Sequence, residues 1–135
     1  MTLAPPPPVT PAVVVRPFAP AAANWLPAHR GLDLAARPGQ AVVAPRAGTV
    51  AFVGRVAGRP VIAMRASGVR FTFEPVRARV VRGERVTAGQ RLGRVGRGGH
   101  CDVACLHWGA KVDGAYVDPA AFLPGRAPIL KPLRP

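Results

Sequence analysis

The sequence predicts an all-β fold, a small sandwich or barrel-like domain of short antiparallel strands. Fifteen glycines and 17 prolines among 135 residues are high for a helical protein, because both residues interrupt helices and mark turns. Short β-type runs also alternate with glycine turns, at a spacing typical of sandwiches and barrels. Only 6% of the residues are aromatic, so valine, alanine and leucine must fill most of the core. The length suits one domain.

The predicted strands follow one another along the central part of the chain. They cover residues 41–44, 49–56, 60–65, 69–76, 79–82, 86, 91–95, 104–110 and 115–117. The clearest is 69–76, where Phe71 and Phe73 recur at a period of two. Asp113-Gly114 predicts a hairpin turn between the last two strands. The only helix-like piece is 119–123, a single turn with Asp118 as its cap.

Both ends of the chain differ in composition from the centre. Residues 1–22 form a lead rich in proline and alanine, which we expect to be disordered. Residues 23–124 form the domain, and residues 125–135 a flexible proline-rich tail. No apolar stretch is long enough to span a membrane. The first 20 residues lack the charged start and apolar run of a signal peptide, so a signal for export would have been trimmed or would lie upstream.

The net charge of +13 favours an anionic partner. Nucleic acid is one candidate, and a bacterial envelope with acidic wall polymers and lipid head groups is another. The basic residues are spread from Arg16 to Arg134 rather than clustered, which also fits an ordinary solvated surface. A nucleic-acid-binding barrel would need exposed aromatic residues for stacking. Phe71 and Phe73 fit a core equally well, so the sequence disfavours nucleic acid.

The chain has three histidines, His29, His100 and His107. Gly31 and Pro27 argue against a helix around His29, and residues four apart in an extended segment point to the same side. His29 and Asp33 could therefore converge on one ion, and imidazole with carboxylate suits Zn²⁺. His107, in the predicted strand 104–110, is the natural third ligand. A surface hydrogen bond or a histidine satisfied within the sheet is the alternative for each residue.

Several motifs occur in the order found in one protein family. They are His29-Arg30-Gly31-Leu32-Asp33, the glycine- and valine-containing stretches at 39–50 and 83–93, Cys105-Leu106-His107-Trp108, and Asp118-Pro119. Together they resemble the lysostaphin-type (LytM-like) zinc metallopeptidases over roughly residues 25 to 123. That family cuts peptide cross-links in peptidoglycan. The resemblance implies a mostly antiparallel LytM-like fold with a duplicated hybrid motif, and an exported, extracytoplasmic protein. It assigns one zinc ion to His29, Asp33 and His107.

Two positions depart from the family pattern. The family has a histidine after a strand tyrosine, as Tyr-x-His, and we align this position with Pro75. The first histidine of the family's His-x-His is Cys105 here. Losing a general acid or base typically costs about 10²–10⁴ in rate. His100 could fold over the site as a substitute, or it could be a solvated loop residue. Glu74 is expected to point away from the side that position 75 faces.

The sequence leaves three interpretations open for the two cysteines, Cys101 and Cys105. Export implies an oxidising compartment, which favours a disulfide between them. Cys105 lies two residues from His107 and could instead be a fourth ligand that closes the zinc site. A free buried thiol is the third interpretation.

Two functions follow from the resemblance. The first is a peptidoglycan-directed zinc hydrolase, which the intact set of ligands favours. The second is a catalytically inactive relative that binds the cell wall or regulates another wall hydrolase, which Pro75 and Cys105 favour.

Overall fold

The structure is a computed structural model and describes residues 5–19, 30–97 and 104–123. It confirms the all-β prediction. The strands are β1 (Val14–Arg16), β2 (Leu32–Ala35), β3 (Ala41–Val43), β4 (Gly48–Val56), β5 (Arg59–Ala66), β6 (Val69–Glu74), β7 (Val76–Ala78), β8 (Arg85–Val86), β9 (Arg91–Val95), β10 (Cys105–Val112) and β11 (Ala115–Val117). A 3₁₀ helix over Pro119–Phe122 follows, and the Asp118 side chain caps it by accepting a hydrogen bond from Ala120 N.

The strands form two antiparallel sheets. The larger runs in the order β1-β2-β10-β6-β5-β4-β8, with β11 added beside β10, and the smaller is β3-β9-β7. Within the described residues the larger sheet has free ends at β1 and β8, so it does not close into a barrel. The predicted strand 69–76 is broken at Pro75, and the strand expected at 79–82 lies instead at β7. The sequence reasoning did not predict β1 and β2 as strands.

Alternation along the central strands builds the core. Phe71, Phe73 and Trp108 are fully buried on one face of β6 and β10, together with Leu106. The rings of Phe71 and Trp108 lie 5.9 Å apart between centroids, and Phe122 packs edge-on against Phe71 at 5.2 Å. Such aromatic pairs add about 0.5–1.5 kcal/mol beyond the area that they bury. The opposite face of the same strands is therefore left for polar residues.

Three hairpins use the same kind of turn, in which both central residues have positive φ. Asp113 and Gly114 have φ of 51° and 80°, as the predicted turn requires, and the other two turns are Ala57-Gly58 and Ser67-Gly68. This geometry matches the right-handed twist of the flanking strands. These turns set the register of the hairpins β4-β5, β5-β6 and β10-β11.

A second turn type recurs at the glycine-containing motifs. In each case a Gln or Glu follows a glycine of positive φ, and its side-chain oxygen accepts a hydrogen bond from the backbone N three residues earlier. The pairs are Gln40 with Arg37, Glu84 with Val81, and Gln90 with Thr87, at 2.9–3.1 Å. These turns precede β3, β8 and β9, which explains why the motifs pair glycine with glutamine or glutamate.

The lead differs from the expectation of disorder over residues 5–19. Val9 is 1% exposed and belongs to the core. Pro8 O accepts a hydrogen bond from Val43 N at 2.9 Å, and Val13 O accepts one from Ala35 N at 2.8 Å. Strand β1 then pairs with β2. The proline-rich composition therefore does not prevent packing, because its apolar side chains and carbonyl groups find partners on the sheet.

Candidate metal centre

Asp33 and His107 lie side by side on neighbouring strands. Strand β2 pairs with β10 so that Asp33 is directly opposite His107. The residues on either side of Asp33, Leu32 and Leu34, point into the core, so alternation turns Asp33 to the other face. Two residues 74 positions apart in the chain thereby meet.

The carboxylate of Asp33 is deeply buried. It is 1% exposed, and within the described residues it is the only buried charged side chain. Its Oδ1 lies 2.8 Å from His107 Nδ1. A buried carboxylate is costly unless a hydrogen-bond donor or a cation compensates its charge. The His107 imidazole is one such compensating partner, and its closeness would also let both side chains reach one ion.

The surroundings of Gly31 explain why the His-x-Gly-x-Asp motif has glycine at this position. A Cβ atom at this position would lie 2.5 Å from His107 Nε2 and 2.7 Å from Trp108 O. Both distances are shorter than real Cβ contacts allow, so any larger residue would push against the imidazole. The motif therefore supplies Asp33 and also the space for the His107 ring.

Glu74 lies directly opposite His107 on the other side of β10, because β6 pairs with β10 in that register. Directly opposed residues in an antiparallel pair share a face. A row therefore crosses the sheet from Asp33 through His107 to Glu74. The expectation that Glu74 faces away from the site is wrong. That expectation placed the site on the side that position 75 faces, but the residue opposite His107 is Glu74, not Pro75.

Arg59 extends this row onto β5. Its Nε lies 3.5 Å from Glu74 Oε1, with side-chain exposures of 34% and 17%. This partly exposed ion pair is worth little stability, but it holds a guanidinium against one carboxylate oxygen. Pro75 is buried between β6 and β7, and its carbonyl accepts a hydrogen bond from Gly96 N at 2.8 Å.

Cys105 shares the face of His107, two residues along β10, and is 2% exposed. No cysteine in the described part of the chain is free. The remaining predicted site residues, His29, His100 and Cys101, lie outside the described residues.

The donors that the structure describes fit zinc, although they are not a complete site. No group of three His, Cys, Asp or Glu side chains is close enough to hold a metal within residues 5–19, 30–97 and 104–123. Asp33 and His107 offer one oxygen and one nitrogen, both usual zinc donors. Tetrahedral zinc would separate these two atoms by about 3.3 Å, given Zn–N and Zn–O distances of about 2.0–2.2 Å. The distance between Asp33 Oδ1 and His107 Nδ1, now 2.8 Å, would need to increase by only about half an ångström for both atoms to bind one zinc ion.

Comparison with protein families identifies the family of this chain. The profile of peptidase family M23 matches residues 27–119. The chain belongs to peptidase family M23. The matched range contains β2, β6 and β10, which carry the row from Asp33 to Glu74.

Curated relatives come from mycobacteria. An uncharacterized protein of Mycobacterium tuberculosis, Rv2891, is 47% identical over 130 residues, which is 91% of this chain. A second, Rv3786c, is 31% identical over 116 residues. The chain spans about half the length of the first of these relatives, 52%, and 28% of the second.

Solved structures share the M23 fold. Helicobacter pylori Csd3 is 26% identical, with a TM-score of 0.76 over 94% of this chain and 35% of that one. A zinc-containing peptidase from Vibrio cholerae is 21% identical, with a TM-score of 0.76 over 90% and 40%. The catalytic domain of lysostaphin from Staphylococcus simulans is 22% identical, with a TM-score of 0.71 over 82% and 91%. The last two establish the fold alone.

The M23 fold thus places Glu74 on the site face, which sequence reasoning missed. Pro75 is the signal that could have identified Glu74. Proline is disfavoured inside a central strand, so it predicts that the strand ends at Glu74 and that Pro75 does not continue its alternation. No helix in the described part of this M23 chain is long and apolar enough to cross a membrane.

Proposed function

We propose that this M23 chain is a zinc-dependent endopeptidase domain that cuts peptide cross-links of peptidoglycan. The observation that carries the proposal is the buried Asp33 carboxylate, 1% exposed, held 2.8 Å from His107 Nδ1. His29 would supply the third ligand to one zinc ion. Three protein ligands are the usual complement of a catalytic zinc site. When bound, the zinc would supply Lewis-acid polarisation of the scissile carbonyl.

The chain's own residues would divide the remaining work. Asp33 and His107 hold each other in place, and the glycine at position 31 leaves room for the imidazole. Glu74 takes the proton from the attacking water as the new C–O bond forms. It then gives that proton to the leaving amine as the C–N bond breaks. Arg59 keeps one Glu74 oxygen oriented, since its guanidinium lies 3.5 Å away. Glu74 would thus perform the proton transfer that the family gives to a histidine. His100 is a second candidate for that proton transfer.

We also propose that Cys105 forms a disulfide with Cys101 and that the chain works outside the cytoplasm. Cys105 is buried and carries no free thiol among the described residues, and Cys101 is the only other cysteine in the sequence. Oxidising compartments favour such bridges. Thiol titration of the denatured, non-reduced protein should find no free thiols. Two free thiols would contradict the bridge.

A second candidate function is a non-catalytic M23 relative that binds the wall or regulates another wall hydrolase. Cys105 favours it, because a cysteine stands where the family has the first histidine of His-x-His. The two functions share the fold, and hydrolysis of peptidoglycan distinguishes them.

Zinc content and peptidoglycan digestion test the proposal in sequence. Purified wild type should contain about one zinc per chain, and His107→Ala should lose it. A metal-free wild type would rule out the zinc site. Digestion of purified peptidoglycan should release new amino termini with wild type and none with Asp33→Ala. Zinc without digestion would favour the non-catalytic relative. His100→Ala, measured alongside, would show whether that histidine contributes to the rate.

A further inference from the structure

A concave surface of about 950 Å³ lies beside the small sheet, and neither Asp33 nor His107 is among the residues that line it. Strands β7 and β9 form its base, and the β4-β5 hairpin forms one wall. Among the residues that the structure describes, six arginine side chains line it and no acidic residue does. They are Arg55, Arg77, Arg79, Arg91, Arg94 and Arg97. We call this surface the arginine groove.

The small sheet brings these arginines close together. Arg77 on β7 is directly opposite Arg94 on β9, and like charges in that position destabilise a sheet. Gly96, directly after β9, also lines the groove. A Cβ at Gly96 would sit 3.3 Å from Arg77 Cγ. A side chain at position 96 would therefore press on the Arg77 side chain, and the glycine leaves room for that side chain in the groove.

Two of the guanidinium groups are held by backbone carbonyls. Arg55 Nη1 donates to Gly58 O at 2.8 Å, and Arg94 Nη1 donates to Gly39 O at 3.1 Å. A guanidinium has five N–H donors, so each retains donors for a ligand. Because these contacts limit the freedom of the side chains, less conformational entropy is lost when a ligand binds.

The positive charge of the groove is not neutralised from within. In the described part of the chain, no carboxylate forms an ion pair with any of the six arginines. Glu84 lies near Arg79 and Arg91 at one end. Its oxygens instead accept hydrogen bonds from Val81 N at 3.1 Å and Gln90 Nε2 at 3.3 Å. A cleft lined by one sign of charge concentrates the field and attracts the opposite charge.

We propose that the arginine groove binds a linear, phosphate-bearing polymer that lacks aromatic bases. Guanidinium groups bind phosphate through paired, charge-assisted hydrogen bonds. One small anion would neutralise one or two of the six charges, whereas a repeating polymer brings several into the groove at once. None of the described residues that line the groove is aromatic, although single-stranded nucleic acid needs aromatic residues for stacking. Its apolar lining consists only of prolines, glycines, alanine and valine, which disfavours insertion into a membrane surface.

The groove adjoins the Glu74 end of the row that runs through His107 to Asp33. Pro60, which lines it, follows Arg59, the partner of Glu74. Gly96, also in the lining, donates to Pro75 O, the residue after Glu74. A polymer in the groove would therefore run beside the site. Binding itself requires neither zinc nor hydrolysis, so it can be tested independently of the proposed function.

The test is binding of fluorescently labelled poly(glycerol phosphate) to the full chain over a range of salt concentrations. The groove variant is Arg77→Gln with Arg94→Gln. The matched control is Arg65→Gln with Arg70→Gln, which removes the same charge from another directly opposed arginine pair, outside the groove. We expect the groove variant to weaken binding about tenfold or more, with a salt slope smaller by about two. The control should weaken binding much less.

Four outcomes with soluble ligands would overturn the proposal, and a fifth concerns lipid vesicles. They are no binding by the wild type, equal losses in the groove variant and its control, tighter binding of single-stranded DNA of equal charge, and equal competition by polygalacturonate. The second would mean that net charge alone attracts the polymer. The third would assign the groove to nucleic acid, and the fourth would remove the preference for phosphate. Tighter binding to vesicles of anionic lipid would likewise contradict the proposal.

Discussion

Glu74 lies directly opposite His107 across the β6-β10 pair, on the same face of the sheet as Asp33. This relationship changes the meaning of the departures from the M23 pattern. The sequence comparison treated proline as the replacement for an assisting histidine. The pairing instead puts a carboxylate, with its own arginine partner at 3.5 Å, next to the candidate ligands. A group able to carry a proton is therefore present where the chemistry would need one.

We expect Glu74→Gln to lower the rate of peptidoglycan hydrolysis by about 10²–10⁴ while zinc content is kept. Glutamine preserves the size of the side chain but cannot accept the proton. The measurement is release of amino termini from purified peptidoglycan. Glu84→Gln is the matched control, because it makes the same chemical change at a carboxylate distant from the row. An unchanged rate in Glu74→Gln would assign the proton transfer to another group.

Gly31→Ala should weaken zinc binding by about 10–100-fold, because the new methyl group displaces the His107 ring from Asp33. Competition with a chromophoric chelator measures this affinity. Gly58→Ala is a useful comparison, since a Cβ there meets nothing within 4 Å and φ is +82°. That variant should lose about 1–2 kcal/mol of stability through turn strain and keep its zinc affinity. Equal zinc affinity in the two variants would contradict the role given to Gly31.

Zinc should stabilise the folded chain, since a ligand that binds only the folded state raises its stability. At about 100 times the dissociation constant the gain is about 2.7 kcal/mol, or roughly 10 °C in melting temperature. Removal of zinc by a chelator should reverse this shift. Asp33→Asn, which keeps the shape of the side chain, should show no shift with added zinc. A shift of the same size in that variant would place the metal elsewhere.

Val9→Ala should destabilise the fold by about 2 kcal/mol, from the lost apolar burial and the cavity left behind. Val9 is 1% exposed although it lies in the proline-rich lead. Val15→Ala is the matched control at a side chain 51% exposed, and its effect should stay within about 0.5 kcal/mol. Urea denaturation midpoints of the two variants give the comparison. Equal midpoints would mean that the lead does not pack on the domain in solution.

Most strands were predictable because their signals are local. The period of two at Phe71 and Phe73 depends only on nearby residues, and so does the Asp113-Gly114 turn. The strand break at Pro75 and the pairing of β1 were not predicted. The packing of the lead cannot be predicted from its composition, since Val9 becomes buried only through contacts with strands far along the chain.

The sequence by itself determined the all-β class, the turn positions and the residues Asp33 and His107 as candidates. Only the tertiary structure decided that Asp33 Oδ1 and His107 Nδ1 meet at 2.8 Å, that Glu74 completes their row, and that six arginines share one groove. The physical reason is that strand propensity and turn chemistry act between neighbours in the chain. Register and facing side chains depend instead on pairing between segments that can lie 74 residues apart.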